Sequence, residues 1–375
     1  MLTETTRTVA APSQYVPALT GLRAIAAFLV FLHHYNPAPP NTFAHQVFDQ
    51  GYMGVSIFFV LSGFLVYHRY ASSYLAAQSW SWRVYLQNRF ARIFPLYLLL
   101  LLITVSVQAV QGHDSSWLVF GLNLTLFKGF FTDYKFSGIA QSWSLTVECC
   151  FYGLAPFLFT GLHRWGALPL TLCLISMGLL LWASVGQFNL QGLFETIPFV
   201  LFYTFFGRSF EFIVGMWLAQ QWHNNHLSRI RYANAAGLVL LGSCVLWQAN
   251  VSTHTDSPVV LTLSEVIVYN FILPIAISLF LLGLLRQKSL SGQVLALPVI
   301  QRLGQSSYAF YLIHIGIIPK ALQATGIASN PWVLFGLLIL IAHGLFVWVE
   351  KPLQQRLRIA HDANFRKSAY QSGAS

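Results

Sequence analysis

Charge is what this chain has least of. Asp, Glu, Lys and Arg supply 9% of its 375 residues, while 56% are hydrophobic; soluble domains carry roughly 25% charged residues. A water-soluble globule is excluded, because so few polar side chains cannot cover so much apolar surface. Cysteine is scarce as well. Cys149, Cys150, Cys173 and Cys244 all fall inside apolar stretches without ligand-like spacing to histidine, so neither a disulfide framework nor a metal site is expected. Acidic residues number 11 against 21 Lys and Arg. That surplus is not a nucleic-acid signature, since the basic residues sit between apolar runs and not on an aromatic-interleaved surface. A cleaved leader is not expected either, because the first apolar run holds Arg23, His33 and His34, which a leader's apolar core should lack. No internal repeat is visible.

What is present is a series of apolar runs of roughly 20 residues, the length a helix needs to cross about 30 Å of hydrocarbon. They fall near 19–36, 52–71, 90–110, 141–161, 167–186, 199–222, 234–250, 265–285, 306–325 and 331–350. The predicted fold is all-α and polytopic, with about ten transmembrane helices. A shorter stretch, 117–131, is assigned as a re-entrant or outer-surface segment, because counting it as a span scatters the basic loops between compartments. With ten spans and the N-terminus inside, sixteen of the 21 Lys and Arg face the cytoplasm, and only Lys128 and Lys135 fall in an outer loop. Both termini are then cytoplasmic in a cell membrane. Residues 72–88 are expected along the inner interface, residues 1–350 form one transmembrane domain, and 351–375 form a short basic tail.

Ionisable side chains inside spans cost roughly 2.5 to 3.5 kcal/mol each on insertion scales, so each needs a partner, a cavity or a function. Arg23 and His34 are eleven residues apart on the first span, about three turns plus 20°, so both point the same way some 16.5 Å apart along the axis. His33 lies about 80° off that line. Taken singly, Arg23 also reads as a snorkelling charge and His34 as an interfacial histidine.

The runs LTGLRAIAAFLVFLHH, FFVLSGF (58–64), RFARIFPLY, SWSLTVE ending at Glu148, SSYAFYLIHIG and VEKPL occur in an order that resembles the acyltransferase 3 family of membrane-bound acyltransferases. The resemblance covers nearly the whole chain. It implies transfer of an acyl group, usually acetyl, from cytoplasmic acyl-CoA to a hydroxyl of a glycan, lipid-linked sugar or natural product. Some members carry a further esterase-like domain; this chain looks like a stand-alone member. A homo-oligomer stays open, and nucleic acid is not expected as a partner.

Under that resemblance Arg23, Arg89 and Arg92 are the expected donor-binding residues, with Arg89 and Arg92 at i and i+3 offering planar donor forks to phosphate. The simpler reading of that pair is positive-inside charge. His34 is the expected base, since an imidazole titrates near neutrality and suits proton abstraction from a hydroxyl. Glu148 is the expected group orienting it, or else the partner of a buried arginine. Arg208, Trp143, Tyr311 and His314 are the expected acceptor-binding residues. Their plainer readings are a neutralising pair of Arg208 with Glu211, an interfacial anchor at Trp143, and a core hydrogen bond between Tyr311 and His314. Ser62 and Gly63 are read as packing residues. The rival from another class is a secondary transporter of an anionic metabolite or glycan, which would be expected to show paired halves.

The orientation is tested by single cysteines placed in a background freed of the native four. Cysteines at Asp49 and Asp256 are expected to react with an impermeant thiol reagent added outside and one at Ser289 to stay protected; outside labelling at Ser289 reverses the orientation.

Overall fold

The computed structural model describes residues 16–76, 80–112, 116–188, 190–227, 232–254, 263–286 and 289–359. Arg7, Arg229, Arg231, Lys288, Arg366 and Lys367 of the charge pattern, and Asp256, lie outside them. The described chain is helical, with one isolated β-bridge, Phe131 to Leu193.

In chain order the helices are α1 (Pro17–His34), α2 (Phe43–Asp49), α3 (Met53–Leu75), α4 (Trp82–Val110), α5 (Trp117–Leu124), α6 (Trp143–Trp165), α7 (Ala167–Ser184), α8 (Ile197–Tyr203) and α9 (Phe205–His223). They continue as α10 (Ala233–His254), α11 (Leu263–Ile267), α12 (Leu273–Leu285), α13 (Leu290–Leu295), α14 (Pro298–Gln305), α15 (Ser307–Ile313), α16 (Ile317–Ala324), α17 (Pro331–Leu345) and α18 (Lys351–Leu357). Among the described residues, nine stretches are long and apolar enough to cross a membrane. The protein is therefore a polytopic helical membrane protein.

Three differences from the sequence reading bear on function. The ninth expected crossing, 306–325, is not a continuous helix: α15 stops at Ile313, and α16 restarts at Ile317 after Gly316, whose φ of 106° is closed to most L residues. The third span begins eight residues earlier than expected, because Ser81 caps it by accepting from the Val84 amide. Arg83, Arg89 and Arg92 therefore share one 29-residue helix. The chain also does not break at 350, since α17 runs through a wider turn, Phe346–Glu350, into α18. Gln87 donates to the Leu357 carbonyl at 2.9 Å and Asn88 bonds Ile359 in both directions, tying this end to the start of α4. The segment 117–131 forms only α5 and a short turn of helix at Phe127–Phe130, too short to span.

Helix α3 is the axis of the bundle. It meets α9 at a backbone contact that only glycine permits: a Cβ on Gly63 would stand 2.1 Å from the Phe212 carbonyl oxygen, and one on Gly215 2.2 Å from that of Val60. Phe59 and Phe151 stack on Phe212 beside it, at 4.7 and 4.2 Å between centroids. Such close approach is the main source of affinity between helices already surrounded by apolar lipid. Helices α14 and α15 run beside α1 along its whole length: Gly304 abuts Thr20, Phe310 meets Phe28, and His314 meets His34. The bundle thus has an arginine end, near Arg23 and the start of α4, and a histidine end.

Gly63→Ala is expected to destabilise the protein by about 1 to 3 kcal/mol, the usual cost of overpacking, because the obstacle is backbone that cannot rotate away. Thermal unfolding in detergent measures it; an unchanged melting temperature would show that α3 and α9 are free to separate.

Candidate active site

A narrow cleft opens among α1, α3, α4, α6 and α15. Arg23, Arg92, Ser62, Glu148, Ser144 and Tyr311 supply its polar wall, and Val55, Phe58, Phe59, Ile93 and Leu145 its apolar one. Pro95 interrupts the hydrogen-bond ladder of α4 here, and the Tyr308 hydroxyl donates to the Ile93 carbonyl at 2.7 Å.

The two arginines of α4 are used differently. Arg92 faces the cleft. Arg89 lies behind it, donating to the Tyr70 hydroxyl at 3.1 Å and packing its guanidinium over the Tyr70 and Tyr152 rings at 5.3 and 5.4 Å. Tyr152 in turn donates to Glu148 Oε1 at 2.5 Å, and Ser62 donates to the same oxygen at 3.1 Å. A ladder of Arg89, Tyr152 and Glu148 therefore holds the carboxylate that the cleft displays. Glu350 is the residue that the sequence reading missed. It is buried, its Oε2 has no hydrogen-bond partner, and it lies within electrostatic range of Arg92 and Arg23. The signal was there, an acid closing the apolar run 331–350. Three cations, Arg23, Arg89 and Arg92, against two acids, Glu148 and Glu350, leave this pocket with one positive charge in excess.

The expected pairing of Glu148 with His34 is absent. Glu148 belongs to the arginine pocket, whereas the His34 Nδ1 bonds its own helix at the Val30 carbonyl, 2.9 Å away. Two rings stand beside His34, those of His33 and His314, at 4.8 and 5.0 Å between centroids. His33 turns aside to the Asp49 carbonyl at 2.6 Å. Tyr311 and His314 share a core hydrogen bond, as the plainer sequence reading had it, with the His314 Nδ1 on the Tyr311 carbonyl at 2.6 Å, while the Tyr311 hydroxyl pairs with Ser144 at 2.9 Å and the Gln141 carbonyl at 3.2 Å. The Gln141 amide donates to the Leu312 carbonyl at 2.5 Å and reaches that of Ile315 at 3.5 Å, two acceptors freed by the helix break. Tyr311 thus stands between the cleft and His314, its ring 5.4 Å from the imidazole.

Arg208 is paired with Glu211 at 2.8 Å and donates to Ser56 at 3.1 Å, over the Phe59 ring that walls the cleft. Trp143 stays half-buried with its ring edge-on to Tyr203 at 4.9 Å, outside the cleft. Lys128, expected in an open loop, is fully buried and donates to the carbonyls of Ser137 and Ile139 at 2.5 and 2.7 Å, fixing the approach to α6.

Residues 16–350 match the family model described as an acyltransferase domain, that of acyltransferase 3. The chain belongs to that family. It is 25% identical to a protein named peptidoglycan O-acetyltransferase OatA of Listeria monocytogenes, over 97% of this chain and 60% of the relative. It is also 25% identical to the putative peptidoglycan O-acetyltransferase YrhL of Bacillus subtilis, over 91% of this chain and 55% of that one. A Staphylococcus aureus O-acetyltransferase OatA is 26% identical over 40% of this chain. The chain thus spans little more than half the length of the first two relatives. No solved structure matches it. Within this acyltransferase domain, Tyr311 lines the arginine pocket and packs on His314, which in turn faces His34.

Burial pushes the Lys128 ammonium down to about 7, below the ordinary lysine value of about 10.4. Between these values the unfolded chain binds a proton that the folded one does not, so stability is expected to rise from pH 7 toward pH 10. Lys128→Met should unfold at lower temperature and lose the part of that rise due to this residue; an identical pH dependence in both proteins removes Lys128 from the account.

Proposed function

We propose that the protein is a membrane-bound O-acyltransferase that moves an acyl group, acetyl in the first instance, from acyl-CoA to a hydroxyl of a carbohydrate. The observation that carries this reading is the cleft itself, with surplus positive charge and with Tyr311 on its wall packed against His314, which faces the exposed imidazole of His34. Acyl-CoA is a polyanion with a long, thin arm, and its chemistry fits both parts: guanidinium forks suit phosphate, and a narrow amphipathic cleft suits pantetheine. Arg23 and Arg92 take the headgroup, and Arg89 holds Tyr152 and Glu148 in place.

His34 is the base. Because the Val30 carbonyl only accepts, the His34 Nδ1 carries the hydrogen and Nε2 keeps a lone pair for the acceptor hydroxyl. The alkoxide oxygen attacks the thioester carbon, the carbon to sulfur bond breaks, and the proton taken by His34 ends on the departing sulfur. The names of the relatives favour a cell-wall or other surface glycan as acceptor. The arginine end then faces the cytoplasm of the cell membrane, where acyl-CoA is made, and both termini lie there.

Incubating membranes with labelled acetyl-CoA and a glycan fraction tests this reading: CoA release with label on the glycan is expected, and label uptake without CoA release would indicate a transporter. Arg92→Ala should raise the KM for acyl-CoA at least about 10-fold, with lysine rescuing in part. His34→Ala should remove 10² to 10⁴-fold of transfer and His33→Ala little. An active His34→Ala variant would overturn the assignment.

A further inference from the structure

Resting on that reading, we propose that His314 is a positioning residue for His34, the neutral acceptor that holds the base's second N–H once it has taken the proton. His314 is wholly buried, and its Nε2 has no hydrogen-bond partner. An orphaned acceptor of this kind is costly to keep. The Tyr311 carbonyl takes the hydrogen of His314 Nδ1, so Nε2 holds a free lone pair. On the facing ring the same arrangement holds, with Nδ1 of His34 on Val30 and Nε2 open. The two imidazoles stand at 73° with centroids 5.0 Å apart. Elsewhere in this protein, His68 and His223 make a ring-to-ring hydrogen bond of 2.7 Å with centroids 4.8 Å apart. A slightly closer approach of the His34 ring, with its Nδ1 kept on the Val30 carbonyl, brings the pair to that separation.

The sequence of events follows. The acceptor hydroxyl gives its proton to the Nε2 of His34 while its oxygen bonds the acyl carbon and sulfur leaves. The new His34 cation then has two N–H groups, one on the Val30 carbonyl and the other on the Nε2 of His314. Finally the proton passes to the thiolate, which restores both neutral rings. In a catalytic triad Asp holds the nitrogen opposite the one that takes the proton; here the Val30 carbonyl holds that nitrogen, and His314, an uncharged ring, receives the new N–H. A carboxylate at this depth would itself demand a partner, and the only acid of α6, Glu148, is engaged in the arginine pocket. The break at His314 serves this arrangement: an unbroken α15 would commit the Tyr311 carbonyl to the helix ladder. The other titratable groups facing the pair are His33 and Tyr311, with Asp49 and Tyr52 one contact further out, beside His33.

The test uses the full chain in membranes. His34 is titrated by its rate of carbethoxylation with diethyl pyrocarbonate, read by mass spectrometry across pH, in wild type, His314→Ala and His314→Gln. Without the acceptor the His34 cation is less stable, so its midpoint in His314→Ala should fall by about one unit, and the acidic limb of kcat should move to lower pH with it. His314→Ala should also lose at least about 10-fold in kcat at unchanged KM for acyl-CoA, less than the loss of the base itself. His314→Gln, whose amide oxygen still accepts, should recover part of both. A His34 midpoint equal to wild type in His314→Ala overturns the proposal, as does unchanged kcat per folded enzyme. If the midpoint moves but wild-type membranes transfer no acyl group, the coupling stands and the transferase reading falls.

Discussion

Polar groups inside a bundle that faces hydrocarbon must be met from within the protein, and nearly every functional feature of this fold follows from how that demand is answered. Arg89 is met by Tyr70 and by two aromatic faces. Arg208 is met by Glu211 and Ser56, Lys128 by two loop carbonyls, and the carbonyls opened at the α15 break by Gln141. Groups left only partly satisfied therefore stand out. Among them, beside atoms of Arg89, Gln141 and Glu211, are the Oε2 of Glu350 near the arginine pocket and the Nε2 of His314 beside His34.

The division of labour between the ends has a simple electrostatic basis. At the arginine end, charges are crowded enough for carboxylates and tyrosines to hold guanidinium groups in place, yet the balance stays positive, which favours an anion. At the histidine end, described contacts are to neutral groups and backbone carbonyls, which set tautomers without fixing a charge. An imidazole there can take up and return a proton during each cycle. Tyr311 belongs to both regions: its hydroxyl is tied to Ser144 and Gln141 near the cleft, while its carbonyl holds His314.

Aromatic packing and glycine contacts give this chemistry a rigid frame. The Gly63 and Gly215 contacts bring the α3 and α9 backbones together. The side chains of Phe58 and Phe59, one helical turn from Ser62, consequently form the cleft wall. The tie between α4 and the chain beyond α18 secures the end of the helix that carries Arg89 and Arg92.

Much of this was legible in the sequence for physical reasons. Span length and scarce charge specify a polytopic helical protein, because hydrocarbon thickness and the cost of burying ions leave little alternative. Helical geometry put Arg23 and His34 on one line, and motif order identified the family. Partnership was beyond it. Glu148 and His34 look matched by depth, yet separate helices can place two residues at one level without contact, and α6 turns its carboxylate toward Tyr152. The break after Ile313 was hidden because isoleucines on either side keep the run apolar while a single glycine changes the backbone. Local sequence thus determined which helices form and which residues ride on them. The tertiary packing alone decided that His314, not Glu148, stands against His34, because that depends on how α15 lies along α1, a contact between segments about 280 residues apart.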